Sequence, residues 1–323
     1  MMSGNLNELL AKNDSLEAQK WLGRYFESKE DFDSAFSVYS KINDQLEKVR
    51  LLCSQKKLEE ARLLATSSTD KRVICFFARF LIKFIAAGLP EIGQNEGNES
   101  INFFRRRDNV QRLVIDLLKK AERFGMALEF ASNENLLEEV ENLSLLAPKN
   151  LVYKVASLFE KQGINVQLSI KLYFIAGCVS KGVEYSFKTH HFEYLEVYSE
   201  LIQNSENVEI ISSCAEYFEK VGNFQEALNF YSFLNNIEKV IDLCDNRNLR
   251  LSENAINHLS AISSEKVASI LEQQGQFLKS SQIYIKLNLP NKALNSLISS
   301  GNADEVIKYA NLIKSDFCYE TAA

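Results

Sequence analysis

The sequence predicts an all-α fold, a right-handed α-solenoid of helical hairpins, and three observations carry that expectation. The first is scarce punctuation. The 323 residues hold 12 Gly and 3 Pro, about 4% and 1% against typical usage of about 7% and 5%. Few turn-makers in a long chain mean helix after helix joined by short connections. The second is composition: 46% hydrophobic and 25% charged, enough apolar residue for a sizeable core. The third is self-similarity at a fixed period, the mark of a repeat array. The same counts exclude turn-rich sheet, collagen and low-complexity disorder.

Taken in chain order, residues 1–17 read as an N-terminal segment, helical or frayed, ahead of an array over 18–323. Met1-Met2-Ser3-Gly4-Asn5-Leu6 offers neither the basic nor the apolar run of a secretory signal. The first repeat then begins. Gly23 is followed by Phe26-Glu27, and Phe32, Ala35 and Tyr39 complete the set. The same offsets recur at Ala215, Phe218-Glu219, Phe224, Ala227 and Tyr231, and at Ala268, Leu271-Glu272, Phe277, Ser280 and Tyr284. A fourth copy, one residue longer between its halves, is Ala156, Phe159-Glu160, Ser169 and Tyr173. These spacings place each set on one helix face. A small residue lets two helices approach closely, and the aromatic one turn on fills the space beside it. The second helix repeats the device with Ala or Ser followed by Tyr. Polar turns such as Ser28-Lys29-Glu30-Asp31 and Lys220-Val221-Gly222-Asn223 separate the two. This small–aromatic pattern is that of tetratricopeptide repeat (TPR)-like hairpins, without the consensus proline.

A second block follows each hairpin. Leu46–Cys53 aligns with Ile237–Cys244, and Pro290–Leu297 fills the same place in the last unit. The repeat is therefore a double hairpin, with Tyr173, Tyr231 and Tyr284 spaced by 58 and 53 residues. Leu118, 55 residues before Tyr173, is expected to hold the tyrosine place in another copy. From Tyr39 to Leu118 the gap is 79 residues, and the excess is assigned to an inserted loop at about 88–108. That stretch contains Gly88, Pro90, Gly93 and Gly97 and has no periodicity. Arg105-Arg106-Arg107 at its end reads as a solvated charge run, with a partner contact as the alternative. Val73–Ala87 is the most apolar stretch. It is too short for a bilayer span and is interrupted by Arg79 and Lys83, so a packed helix is expected.

Chemistry-bearing motifs are absent. There is no glycine-rich phosphate loop, no dinucleotide fingerprint and no zinc-protease helix signature. Lys+Arg number 37 against Asp+Glu 43, a net charge of −6, which argues against nucleic acid as a partner. Six dispersed cysteines form no CxxC pair and read as reduced, buried small hydrophobes. The adjacent His190 and His191 would face different directions on a helix and suit a surface or turn role rather than a metal. Glu27, Glu160, Glu219 and Glu272 recur once per repeat, so a role capping or bridging neighbouring helices is expected of them, not catalysis. No cofactor, no metal and no direct small-molecule substrate is expected.

Lys20–Ser28 and Leu46–Cys53 resemble the C-terminal helical-repeat region of the hundred-and-forty-kilodalton, propeller-plus-solenoid subunits of the intraflagellar transport A complex. Asn142–Pro148, Phe159–Gly163, Ser180–Phe187 and Leu297–Ile307 follow in the same order. The resemblance implies a non-enzymatic scaffold for retrograde ciliary transport and ciliary protein entry. It implies other subunits of that complex as partners, a location in the cytoplasm, cilium and ciliary base, and only indirect membrane contact. The family carries N-terminal β-propellers and continues beyond Tyr319–Ala323, so the resemblance also implies a fragment of a longer protein or a reduced relative. A vesicle-coat or membrane-tethering solenoid is the rival reading. An enzyme with its site hidden between repeats is a third. Periodicity names no protein-binding residue, because recognition in a solenoid lies at non-repeating surface positions.

Overall fold

The computed structural model describes residues 15–88, 103–104, 106–205 and 207–313. Among them the chain forms 21 helices and no strand. It divides into two compact units, up to Ala176 and from Gly177. The first holds α1 (Leu16–Ser28), α2 (Phe32–Lys41), α3 (Gln45–Ser54), α4 (Leu58–Ser67), α5 (Lys71–Ala86), α6 (Arg107–Lys120), α7 (Phe124–Asn133), α8 (Leu137–Ser144), α9 (Lys149–Gln162) and α10 (Val166–Ile175). The second holds α11 (Val179–Thr189), α12 (Glu193–Val197), α13 (Ser199–Gln203), α14 (Val208–Val221), α15 (Phe224–Phe233), α16 (Ile237–Arg247), α17 (Glu253–Ser260), α18 (Glu265–Gln273), α19 (Phe277–Lys286), α20 (Pro290–Ser299) and α21 (Ala303–Ile313). Within each unit, helices adjacent in sequence pack as hairpins: α1 on α2, α9 on α10, α14 on α15, α18 on α19. The fold is a TPR-like helical solenoid.

Several helices bury one stripe, whereas α10 buries Leu168, Ser169, Ile170, Leu172, Tyr173 and Phe174 around most of its circumference. In α14 the buried residues are Ile211, Cys214, Ala215 and Phe218, at i, i+3, i+4 and i+7. In α5, Val73, Ile74, Phe77, Ala78, Leu81 and Ile85 are buried. Among the described residues no helix is long and apolar enough to cross a membrane. Cys53, Cys75, Cys214 and Cys244 are free and buried, and Cys178 is half-buried. Burial pushes the Cys244 thiol up to about 11, so it stays protonated and unreactive at neutral pH.

The connections explain why so few glycines suffice. At the end of α1 the Glu30 amide donates to the Glu27 carbonyl and the Asp31 amide to the Phe26 carbonyl. This double closure requires one left-handed residue after the helix. The same pair of bonds closes α14 at Gly222-Asn223 and α18 at Gly275-Gln276. Ten non-glycine residues among those described take positive φ, and six are asparagine, which tolerates that conformation best after glycine. The next residue then caps the following helix. Asp31 accepts from the Ser34 amide at 3.2 Å, and Asn223 from the Glu226 amide at 3.3 Å. Stop and start thus occupy two adjacent residues.

One expectation changes. Leu118 does not hold the tyrosine place. It lies near the end of α6, six residues before Phe124 opens α7, as Phe218 lies six before Phe224. Leu118 therefore fills the position of Phe26 and Phe218, and Ala131 stands where the other copies have tyrosine. Counting back by a constant period failed because α8 alone separates α7 from α9, where the other blocks carry a second hairpin. The expected loop at about 88–108 falls mostly outside the described residues; at its end Arg107 and Asp108 belong to the first turn of α6. Asp108 at the helix N-terminus is electrostatically favoured, and the chain is helical from Arg107 on. Residues 89–102 and Arg105 lie outside the described residues, as do residues 1–14 and Tyr319–Ala323.

Glu30, Lys56 and Glu122 hold left-handed conformations (φ 60°, 59° and 57°) without the help an asparagine side chain gives. Replacing any one of them by glycine should stabilise the chain by about 0.5–1 kcal/mol. Glycine at Lys29, φ −99°, should not. Urea denaturation midpoints of the single variants measure the difference.

Candidate functional site

The repeating feature with the most chemistry is the contact between the two helices of each anchor hairpin. Gly23 on α1 faces Tyr39 on α2. A Cβ at Gly23 would stand 2.4 Å from Tyr39 Cε1, so the ring occupies the space a side chain would take. Ala35 and Tyr39 are fully buried, with Phe26 and Phe32 packed around them. In the other copies Ala156, Ala215 and Ala268 are fully buried, as are Phe159, Leu271 and Ala227; Phe218, Tyr173, Tyr231 and Tyr284 are nearly so. Phe224 and Phe277 open their helices and are only half-buried. The Arg247 guanidinium covers the Phe224 ring at 4.3 Å. Serine is accommodated because its hydroxyl finds a partner. Ser169 donates to the Ala156 carbonyl at 2.9 Å, and Ser280 meets Ser296 at 3.3 Å.

The tyrosine hydroxyl turns this packing contact into a clasp. Tyr39 Oη donates to Glu27 at 2.6 Å, Tyr231 to Glu219 at 2.5 Å and Tyr284 to Glu272 at 3.3 Å. Tyr173 donates to Glu160 in the fourth copy. A third helix completes it. Arg50 of α3 binds Glu27, Lys239 of α16 binds Glu219 at 2.7 Å, and Ser296 of α20 donates to Glu272. Each of these three carboxylates joins both helices of its hairpin to the first helix of the next block. Around Glu27 the network is larger: Glu47 accepts from Arg24 at 3.0 Å and from Arg50 at 2.5 Å.

Electrostatics follow the geometry. Burial, then the bond to its glutamate, pushes Tyr39, Tyr173 and Tyr231 above their ordinary range, and Tyr284 is raised to about 12 by burial and the Glu272 charge. Lys239 and Tyr231 together hold the Glu219 carboxyl below its usual value. Burial pulls Arg50 down, but Glu27 and Glu47 more than offset it and leave it raised. A carboxylate with both oxygens engaged, as in Glu219, is occupied in holding helices together.

The block at α6–α8 inverts the device. Ile115, buried, stands at the place of Ala215, and Ala131 at the place of Tyr231. Large and small have exchanged, which conserves volume in a close-packed contact. The charges have exchanged too. Lys119, at the glutamate place, pairs with Glu139 at 2.8 Å, where the α14 copy pairs Glu219 with Lys239.

Repeat alignment did not pick out the cation partners. Lys48 aligns with Lys239, yet Arg50, two residues on, binds Glu27 while Lys48 lies over the Phe36 ring at 5.4 Å. A cation that moves by half a turn leaves the repeat pattern along the chain unchanged. His190 is exposed and takes φ 58° in the turn after α11, His191 Nδ1 lies 2.9 Å from the Thr189 carbonyl, and His258 stacks on Phe233 at 4.7 Å between centroids. Among the described residues no group of three or more His, Cys, Asp or Glu is arranged to hold a metal ion.

The chain matches the family model for the TPR domain of the intraflagellar transport proteins 140 and 172, over residues 2–323. The chain belongs to that TPR domain family. Its clasped hairpins are how this member builds the TPR architecture. Among solved structures it is similar to the one titled "Crystal Structure of the Yeast Tom70", at 16% identity, covering 92% of this chain and 83% of that one. The TM-score of 0.18 is too low for that likeness to support any conclusion here.

Two outcomes are expected. Gly23→Ile should cost several kcal/mol and Tyr39→Ala about 3–5 kcal/mol. The double variant, which copies the Ile115/Ala131 arrangement, should be at least about 1 kcal/mol more stable than the sum of the two. A denaturation-based double-mutant cycle measures that coupling. For Glu219, the folded carboxyl is depressed, so its stabilisation is fully present above the unfolded value of about 4.3 and is lost as pH falls through the folded value. Glu219→Gln should therefore be less stable than wild type at pH 7 and show a shallower loss below about pH 4 in urea midpoints across pH.

Proposed function

We propose that this chain is a non-enzymatic scaffold of the intraflagellar transport A particle, working in retrograde ciliary transport and ciliary protein entry through contacts with the particle's other subunits. The observation that carries this reading is the family match, which spans residues 2–323 and concerns a TPR domain named for intraflagellar transport proteins. The order of resembling segments from Lys20 to Ile307 supports the same choice. So does the chemistry of the repeats: their recurring carboxylates are bound to tyrosines, lysines, arginines and serines of the chain itself. Helical hairpins cannot bury their faces singly, so stacking them leaves long surfaces suited to holding other chains. The proposed location is the cilium and its base, together with the cytoplasm.

The test is affinity capture of the tagged full chain from ciliated cells, followed by mass spectrometry. Recovery of intraflagellar transport A subunits, reduced several-fold when Tyr231→Ala and Tyr284→Ala break two clasps, is the expected result. Recovery of vesicle-coat subunits, or of a different transport particle, would overturn it.

A further inference from the structure

The α12–α13 segment is the place in the second unit where one regular helix is replaced by two short ones. They meet at Tyr198, φ −107° and ψ 18°, so the chain runs on almost as one kinked helix. Tyr194, Leu195, Ile202 and Gln203 face inward. Glu193, Glu196, Val197, Glu200 and Leu201, at offsets 0, 3, 4, 7 and 8, are all exposed. Val197 is 69% and Leu201 49% accessible. Among the described residues none of these three glutamates has an ion pair. In α4 of the first unit, by contrast, Glu59 is paired with Arg62 at 2.5 Å.

A second observation comes from the neighbouring helix. α13 packs against α15. On α15, Glu226 Oε2 and Asn229 Oδ1 are buried and accept no hydrogen bond, and Ser205 Oγ just beyond α13 is buried without a partner as well. The Glu226 carboxyl is raised by burial and by the Glu196 charge, against a lowering bond from Asn229, so the field of α12 reaches this group. The exposed Glu196 and the buried Glu226 oxygen thus share one acidic neighbourhood. Two apolar side chains a helical turn apart, Val197 and Leu201, supply a strip on which another helix can lie.

We infer that the exposed face of α12–α13 is a docking surface for a basic amphipathic helix of a partner protein, whose leucine-type side chains cover Val197 and Leu201 and whose lysines or arginines meet Glu193, Glu196 and Glu200. Charge complementarity selects this occupant: the anionic face repels nucleic acid and anionic lipid, and a neutral apolar helix would leave the carboxylates unpaired at the contact. The inference rests on the scaffold reading and gives it a specific surface.

The test uses the full chain and a fluorescein-labelled amphipathic peptide of alternating Leu and Lys at helical spacing, read by fluorescence anisotropy at low and high salt. Binding to wild type should weaken with salt. Glu193→Gln/Glu196→Gln/Glu200→Gln and Val197→Ser/Leu201→Ser should each weaken it by about tenfold or more. A matched control, Glu17→Gln/Glu129→Gln/Glu138→Gln, removes the same charge from exposed positions of the first unit and should change affinity by less than about twofold. Circular dichroism checks that the variants keep their helix content. Equal weakening by control and test variants, or no weakening by the test variants, overturns the inference, as does equal binding of the analogue with Glu in place of Lys. Intact peptide binding with no transport subunits captured from cells would sink the scaffold reading alone, and the reverse pattern would sink this face alone.

Discussion

A tyrosine ring laid over a residue too small to resist it is the contact on which the rest of this structure depends. The ring sets how closely the two helices of an anchor hairpin approach, and its hydroxyl reaches the glutamate of the partner helix. That glutamate is then held by a cation or a serine from the following helix. Packing and polar satisfaction are thus fixed by the same atoms. A buried phenol without its acceptor, or a desolvated carboxylate without its donors, would be costly. The close approach and the polar bonds therefore stand or fall together.

The α6–α8 block shows what is essential in that contact. It keeps the summed volume and the cross-block ion pair while reversing which helix supplies the large residue and which supplies the positive charge. The requirement is therefore complementarity across the hairpin, not a particular side chain at a particular place. A search keyed to tyrosine passes over this copy for that reason. The true period there is 42 residues from Ala131 to Tyr173, because one helix does the work of two.

Much of the hairpin arrangement could be read in advance because it depends on short-range rules. Helical spacing put Gly23 with Phe26, and Ala35 with Tyr39, on common faces. The turn residues are local too. Asn43-Asp44, Gly222-Asn223 and Asn235-Asn236 each pair a left-handed residue with a helix cap. Scarce glycine meant a helical chain, and the structure adds that asparagine takes much of the left-handed work. The start of α6 lies at the end of an arginine run, where Asp108 and the apolar stripe behind it make helix.

By itself the sequence determined the helical class, the hairpin unit, the small–aromatic contact and the recurrence of the glutamates, since each follows from spacing within about 15 residues. Only the tertiary structure decided which cation answers which glutamate and that Ile115 and Ala131 exchange roles. It also decided that Glu193, Glu196 and Glu200 face outward together, with Glu196 near enough to raise the Glu226 carboxyl on α15. The choice of partner for each glutamate depends on helices brought together from 20 or more residues apart, as with the 23 residues between Glu27 and Arg50. At that separation a shift of half a turn changes the partner without changing the pattern along the chain.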